Sequence, residues 1–251
     1  MECVECYMLA GQVFMSAKGC AFAMIEMFDV SKTYRNGTSA LQHISLRIQD
    51  GEFVYVVGPS GAGKSTIIKL MYREESPTKG HVFVNGFNLS RVRERQIPQI
   101  RRGIGVIFQD FKLLPRLTAY ENVAFALEVV GYPRNKMRKR VEQVFAQVGL
   151  VGKERMMPHE LSGGEQQRVA IARAIVNSPS VILADEPTGN LDPDTSWEIA
   201  QLIQQINMRG TTIVMSTHNR EIVNGLRHRV IAIEKGTIVR DQARGEYGYD
   251  G

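Results

Sequence analysis

Gly58-Pro59-Ser60-Gly61-Ala62-Gly63-Lys64-Ser65-Thr66 follows the apolar run Phe53-Val54-Tyr55-Val56-Val57 and leads into a helix-like stretch, Ser65 to Tyr72. The segment satisfies G-x-x-x-x-G-K-[ST] in the strand, loop, helix order that a phosphate cradle requires. Its glycines let backbone N–H groups turn inward on phosphate oxygens, and the helix adds the positive end of its dipole. Lys64 is then placed to neutralise the outer phosphates of a nucleoside triphosphate. Ser65 offers a hydroxyl to Mg²⁺, which prefers oxygen ligands. A glycine-rich turn with a chance lysine is the competing interpretation, and it leaves the flanking strand and helix unexplained.

Outward from this loop, Ile104–Phe108, Val181–Ala184, Thr212–Met215 and Val230–Ile233 are apolar on both alternations. That pattern predicts parallel strands covered on both faces, hence an α/β core. Residues 24 to 57 alternate short β-like runs with turns, Ile44–Ile48 among them. Thr118-x-x-Glu121 has capping-box spacing, and Met137, Val141, Val144, Phe145 and Val148 mark one helical face, so a helical lobe is expected to be inserted into the sheet.

The run Val181–Ala184 ends in Asp185-Glu186. Ligands of open α/β sheets sit beyond the carboxyl ends of the strands, which places Asp185 near the magnesium and Glu186 beside the terminal phosphate. Glu186 is the candidate base that polarises the attacking water. Ordinary strand-end acids are the competing interpretation of the pair, and the partnership with the phosphate loop argues against it.

Leu161-Ser162-Gly163-Gly164-Glu165-Gln166 heads a helix expected to run on to Val176, and Ser162 and Glu165 have capping-box spacing. Capping does not account for two glycines in the first turn. They weaken the helix and open its N-terminus to close approach by an anion, which suggests a second phosphate contact.

With 251 residues and 43% hydrophobic content, the chain can bury a sizeable core. No stretch reaches the ~18 uncharged apolar residues of a membrane span, so a soluble chain that reaches a membrane through a partner is expected. The +5 formal charge concentrates at Arg91–Arg102 and Arg134–Arg140. Such runs can meet nucleic acid or anionic lipid, or be solvated helix faces. The chain has neither heptad length nor metal-ligand spacing, and a nucleic-acid partner is not expected. Cys3, Cys6 and Cys20 are the only cysteines. A cysteine-free body fits a reducing compartment, and Cys3-x-x-Cys6 has no second pair with which to hold zinc. Residues 1–23 are expected to be an extension outside the fold, or an overlong start.

The phosphate loop, Gln109, Leu161–Gln166, Asp185-Glu186, Asn190-Leu191-Asp192 and His218 occur in the order seen in ATP-binding cassette ATPases, which the chain resembles over residues 24 to about 240. The resemblance implies one domain over 24–251. It would have a RecA-like P-loop core, an N-terminal antiparallel β subdomain and a helical subdomain at about 112–165. It also implies a head-to-tail homodimer that sandwiches two ATP molecules. Each ATP would be held by Gly58 to Thr66 of one copy and by Ser162, Gly163, Gly164 and Gln166 of the other. Gln109 would sense magnesium and the attacking water and share the metal with Ser65 and Asp185. His218 would contact the terminal phosphate, Asp192 would lie at the dimer seam, and Tyr34 would stack on adenine. Outside the family context, Gln109 is a polar strand end, His218 a surface turn residue and Tyr34 a strand aromatic.

Val106–Pro115, Glu121–Leu127, Arg240-Asp241 and Gly245-Glu246-Tyr247-Gly248 are similar to the cell-division branch of this family. That likeness implies an ATPase on the cytoplasmic face of a bacterial membrane, at the division site. It would pair with an integral membrane protein to control peptidoglycan hydrolases. Asp110–Leu117 lies where the family receives a membrane partner, although Phe111, Leu113 and Leu114 could instead pack internally. A lipoprotein or macrolide exporter motor and a nucleotide-gated division scaffold are the alternatives.

Overall fold

The computed structural model describes residues 23–247. Cys3, Cys6, Cys20 and all of the expected extension except Ala23 lie outside the described residues. Ala23 opens β1 (Ala23–Thr33), which pairs antiparallel with β2 (Ser39–Gln49) and with β4 (Lys79–Val84). The short β5 (Phe87–Asn88) completes a four-stranded sheet of order β2-β1-β4-β5.

A second sheet has six strands in the order β10-β9-β3-β8-β7-β6. Its members are β3 (Phe53–Val57), β6 (Ile104–Phe108), β7 (Val181–Asp185), β8 (Thr212–Ser216), β9 (Arg229–Glu234) and β10 (Thr237–Gln242). Neighbours from β9 to β6 run parallel, and β10 closes the edge antiparallel to β9.

The two alternations of these strands serve two cores. Val54, Val56, Val181, Leu183, Val214, Ile231 and Ile233 face α1 (Lys64–Met71) and the inner side of the four-stranded sheet. Tyr55, Val57, Ile182, Ala184, Ile213, Met215 and Ala232 face the helices on the other side. Continuous apolar runs are the consequence of burial on both faces.

Those helices are α3 (Ala119–Val129), α4 (Arg134–Val148), α5 (Gly163–Ile175), α6 (Pro193–Asn207) and α7 (Arg220–Leu226), the short α2 (Ile97–Arg101) lying before β6. Met137, Val141, Val144, Phe145 and Val148 are all buried along α4. Thr118 caps α3 through a complete capping box with Glu121, and Gly149 ends α4 in the left-handed region. Helices α3 and α4 lie between β6 and β7 in the chain and pack on α5, so the helical lobe is inserted between two adjacent parallel strands.

Candidate nucleotide site

The phosphate loop spans the C-terminal end of β3 and the start of α1. Gly63 has φ 110°, and a Cβ there would lie 2.7 Å from the Ala40 carbonyl oxygen and from Leu41 Cδ2, so only glycine fits. Lys64 is buried at 6% exposure. Its ammonium donates to the Gly58 carbonyl at 2.9 Å and to the Pro59 carbonyl at 3.1 Å, and lies 3.6 Å from Glu186 Oε1. The loop thus points a desolvated cation across its own mouth at the second carboxylate of the Asp185-Glu186 pair.

That pair stands at the carboxyl end of β7. Ser65 Oγ donates to Asp185 Oδ1 at 3.0 Å, and Ser216 Oγ, from the end of β8, donates to the same oxygen at 2.6 Å. Glu186 takes φ 48°, and its N–H donates to the Ser216 hydroxyl at 3.0 Å and carbonyl at 3.2 Å. A non-glycine residue in the left-handed region persists when its surroundings over-determine it. His218 Nδ1 lies 3.0 Å from Glu186 Oε2. Lys64, Glu186 and His218 therefore form one polar chain, with Ser65, Asp185 and Ser216 beside it.

Gln109 follows β6 at the exposed edge. Its amide nitrogen donates to Asn190 Oδ1 at 3.2 Å, and Asn190 Nδ2 returns a bond to the Gln109 carbonyl at 3.1 Å. Residues 110–117 beyond it are pinned by polar groups that composition does not reveal. Arg173 of α5 donates to the carbonyls of Phe111 at 2.7 Å and Lys112 at 2.5 Å, two residues in the left-handed region. Fully buried Asn122 of α3 accepts from the Leu114 N–H and donates to the carbonyls of Leu114, Leu117 and Thr118. This fixed backbone leaves Leu114 exposed, while Leu113 packs partly against the core.

Ser162 caps α5. Its hydroxyl accepts from the Glu165 N–H at 3.3 Å, and Glu165 Oε2 accepts from the Ser162 N–H at 2.9 Å. That N–H and the Lys153 ammonium hold the Glu165 carboxyl below its ordinary range. Gln166 Nε2 donates to the Leu161 carbonyl at 3.1 Å. Asp192 caps α6 by accepting from the Thr195 N–H at 3.0 Å, and this backbone donor lowers its pKa. A Cβ at Gly164 would lie 2.6 Å from Thr195 Cγ2, so the close packing of α5 on α6 is one reason for a glycine here. Ser162 itself is exposed.

Tyr34 is half-buried, its hydroxyl 3.2 Å from Thr66 Oγ1 and its ring 5.0 Å from the Lys32 ammonium. It lines an open cavity with Lys32, Arg35, Asn36 and Glu74 beside the start of α1.

The structure thus gathers Lys64, Ser65, Asp185, Glu186 and His218 into one cluster, joins Gln109 to Asn190, and groups Gly164 with the first turn of α6. The hydrogen bonds of Ser162 stay within the first turn of α5. Ser65, Asp185 and Gln109 supply a hydroxyl, a carboxylate and an amide, a set able to give hard oxygen ligands to Mg²⁺. Among the described residues no group of three or more His, Cys, Asp or Glu could hold a metal. A cation with few protein ligands, completed by phosphates and water, suits such a site. Sequence reasoning passed over Ser216, Asn122, Arg173 and Gln167. The nearest signal was a polar residue closing or interrupting an apolar run. Gln167 is fully buried and donates to the Pro187 carbonyl at 2.6 Å.

A parallel sheet with a phosphate loop at β3, acids at the end of β7 and a capped Ser-Gly-Gly turn on a separate helix defines an ATP-binding cassette, and the ABC transporter family profile matches residues 41–189. The chain belongs to that ATP-binding family and, within it, to the family of the cell division ATP-binding protein FtsE. It is 63% identical to FtsE of Bacillus subtilis over 228 residues, 90% of this chain and 100% of the relative. It is 60% identical to FtsE of Streptococcus pneumoniae, over 91% of this chain and 99% of that one. Among solved structures it is similar to a dimeric ATP-binding cassette in a post-hydrolysis state bound to ADP and Pi. That match has a TM-score of 0.81 at 37% identity and covers 89% of this chain and 100% of the other. No helix among the described residues is long and apolar enough to cross a membrane.

Proposed function

We propose that this chain hydrolyses ATP as the motor subunit of a division complex at the cytoplasmic face of the bacterial membrane, paired with an FtsX-like integral membrane protein through which it controls peptidoglycan hydrolases. The observation that carries this reading is Glu186 held between the Lys64 ammonium and the His218 imidazole at the carboxyl edge of the sheet.

In the proposed cycle, Gly58 to Thr66 of one copy wrap the phosphates and Lys64 exchanges its contacts with Gly58, Pro59 and Glu186 for phosphate oxygens. Tyr34 stacks on adenine. A bound Mg²⁺, held by Ser65, Asp185 and Gln109, would neutralise phosphate charge. The Glu186 carboxylate, freed from Lys64, orients and polarises the attacking water, and His218 passes from Glu186 to the terminal phosphate. Ser162, Gly163, Gly164 and Gln166 of the second copy close the site, with Asp192 at the seam. A dimeric, ADP-bound cassette of the same fold supports this arrangement.

The membrane partner is proposed to seat on the exposed Leu114 and on Phe125 and Val129, which share one face of α3 at 46% and 62% exposure. Apolar groups so exposed suit an interaction surface. The test is magnesium-dependent phosphate release together with solution mass. The wild-type chain should turn ATP over, and Glu186→Gln should bind ATP and accumulate as a dimer. Undiminished hydrolysis by Glu186→Gln would remove Glu186 from its role.

A further inference from the structure

Ser216 ends β8 between two strands, in register with Val56 of β3 and Asp185 of β7. It is fully buried, and its hydroxyl is engaged twice, donating to Asp185 Oδ1 at 2.6 Å and accepting from the Glu186 N–H at 3.0 Å. One proton and two lone pairs allow both contacts at once. Exposed Ser65 reaches the same carboxylate oxygen at 3.0 Å from the loop side, whereas Ser216 reaches it from inside the sheet.

We infer that Ser216 is a positioning residue that sets both acids of the site through one hydroxyl, orienting the Asp185 carboxylate and anchoring the left-handed backbone of Glu186. The inference rests on the proposed ATPase reading. Asp185 and Glu186 are adjacent in sequence, yet their duties differ: one faces a cation and the other a water. A buried hydroxyl shared between them keeps the first carboxylate and the second backbone in fixed relation while the exposed loop groups exchange partners. Two residues on, His218 meets the Glu186 side chain, so the end of β8 addresses Glu186 at both its backbone and its carboxylate. Groups that orient a metal-side ligand from behind typically change metal affinity or activity by ~10–100-fold when removed.

The test uses the full chain with Ser216→Ala. Thr212→Val on the same strand is the control, because Thr212 is equally buried and its hydroxyl accepts from the Gly51 N–H at 2.8 Å, at the opposite end of β8. Three quantities are read: kcat and KM for ATP, Mn²⁺ affinity of the ADP-loaded protein by electron paramagnetic resonance, and ADP affinity in EDTA. Ser216→Ala should lower kcat and Mn²⁺ affinity by about tenfold or more, leaving KM and metal-free ADP affinity near wild type. Thr212→Val should lower the melting temperature and move neither kcat nor Mn²⁺ affinity. Wild-type kcat and Mn²⁺ affinity in Ser216→Ala would overturn the inference. If that variant does not fold, Ser216→Cys keeps a similar volume with a weak donor. It must show the same Mn²⁺ loss, and a Cys form binding Mn²⁺ like wild type is equally fatal. A wild-type chain unable to hydrolyse ATP would break the proposed function. Turnover in wild type beside an undiminished Ser216→Ala would break this inference alone.

Discussion

At the carboxyl edge of the parallel sheet, Lys64, Ser65, Asp185, Glu186, Ser216 and His218 are bonded to one another, whereas Ser162 at the head of α5 is bonded within its own first turn. The first region satisfies its charges internally. The second presents a partly exposed helix N-terminus headed by exposed Ser162, a form suited to completion by another molecule. The two are still joined in cis. From α5, Gln167 holds the Pro187 carbonyl behind Glu186, and Arg173 holds the backbone beyond Gln109. One helix therefore carries the Ser-Gly-Gly turn and bonds to the backbone that follows Gln109 and to the backbone that follows Glu186.

The largest effect is expected at Glu186. Glu186→Gln keeps size and loses the base, so phosphate release should fall by about 10²–10⁴-fold, with ATP still bound when measured by equilibrium dialysis. Lys64→Ala should act on binding itself. Loss of a charged donor to phosphate weakens nucleotide affinity by roughly 10–100-fold, read by titration with a fluorescent ATP analogue. Ser162→Arg sharpens the contrast. It crowds the α5 turn outside the inward cluster, so a single copy should bind nucleotide as wild type does while the ATP-dependent dimer of Glu186→Gln is lost in sedimentation. Weakened nucleotide affinity in Ser162→Arg would mean that the two regions are not separate.

Gly164 tests whether packing or ligand approach demands its glycine. Gly164→Ala drives a methyl into Thr195 Cγ2, an overpacking of about 1–3 kcal/mol visible in denaturant unfolding. Thr195→Ser removes that methyl, so the double variant should regain stability. If the turn also receives phosphate from a second copy, the double variant should remain slow in ATP turnover. Full recovery of both would assign this glycine to packing alone.

How much of this was legible in sequence follows from where the determinants sit. Phosphate loop, both capping boxes and the doubly buried strands are local patterns, and each appears where its residues predicted. β10 reads Thr-Ile-Val-Arg-Asp-Gln and is largely exposed, so no apolar pattern marks it. β4 joins β1 from 48 to 59 residues away, Ser31 pairing with Lys79 and Ile25 with Val84, a pairing that depends on the sheet and not on its own composition. The Ser162–Gly164 turn was read for its opening to an anion, and to that the fold adds a packing contact at Gly164 from Thr195 on the next helix. Ser216, Asn122 and Arg173 gain their importance from what they touch across the fold, which spacing alone does not encode.

The smallest expected effect concerns the cap of α5 itself. The Glu165 carboxyl is held below its ordinary range, first by the Ser162 N–H and next by Lys153, so its folded pKa lies beneath the unfolded one. The folded state therefore binds this proton less readily than the unfolded state. Its stabilisation is fully present above the ordinary carboxylate range and is lost as pH falls through the lowered folded value. Because Glu165 is only partly buried, at the protein surface, the contribution is a surface cap and helix-dipole effect of about 0.3–1 kcal/mol at low ionic strength. Glu165→Gln should lose that amount at neutral pH in urea unfolding and converge on wild type in acid, where both forms are uncharged. The inward cluster does not include Glu165, so nucleotide affinity of one copy should be unchanged at neutral pH. A pH-independent gap between the two proteins would show that the side chain stabilises the turn through its shape and amide bonding, leaving its charge without a part in presenting the N-terminus of α5.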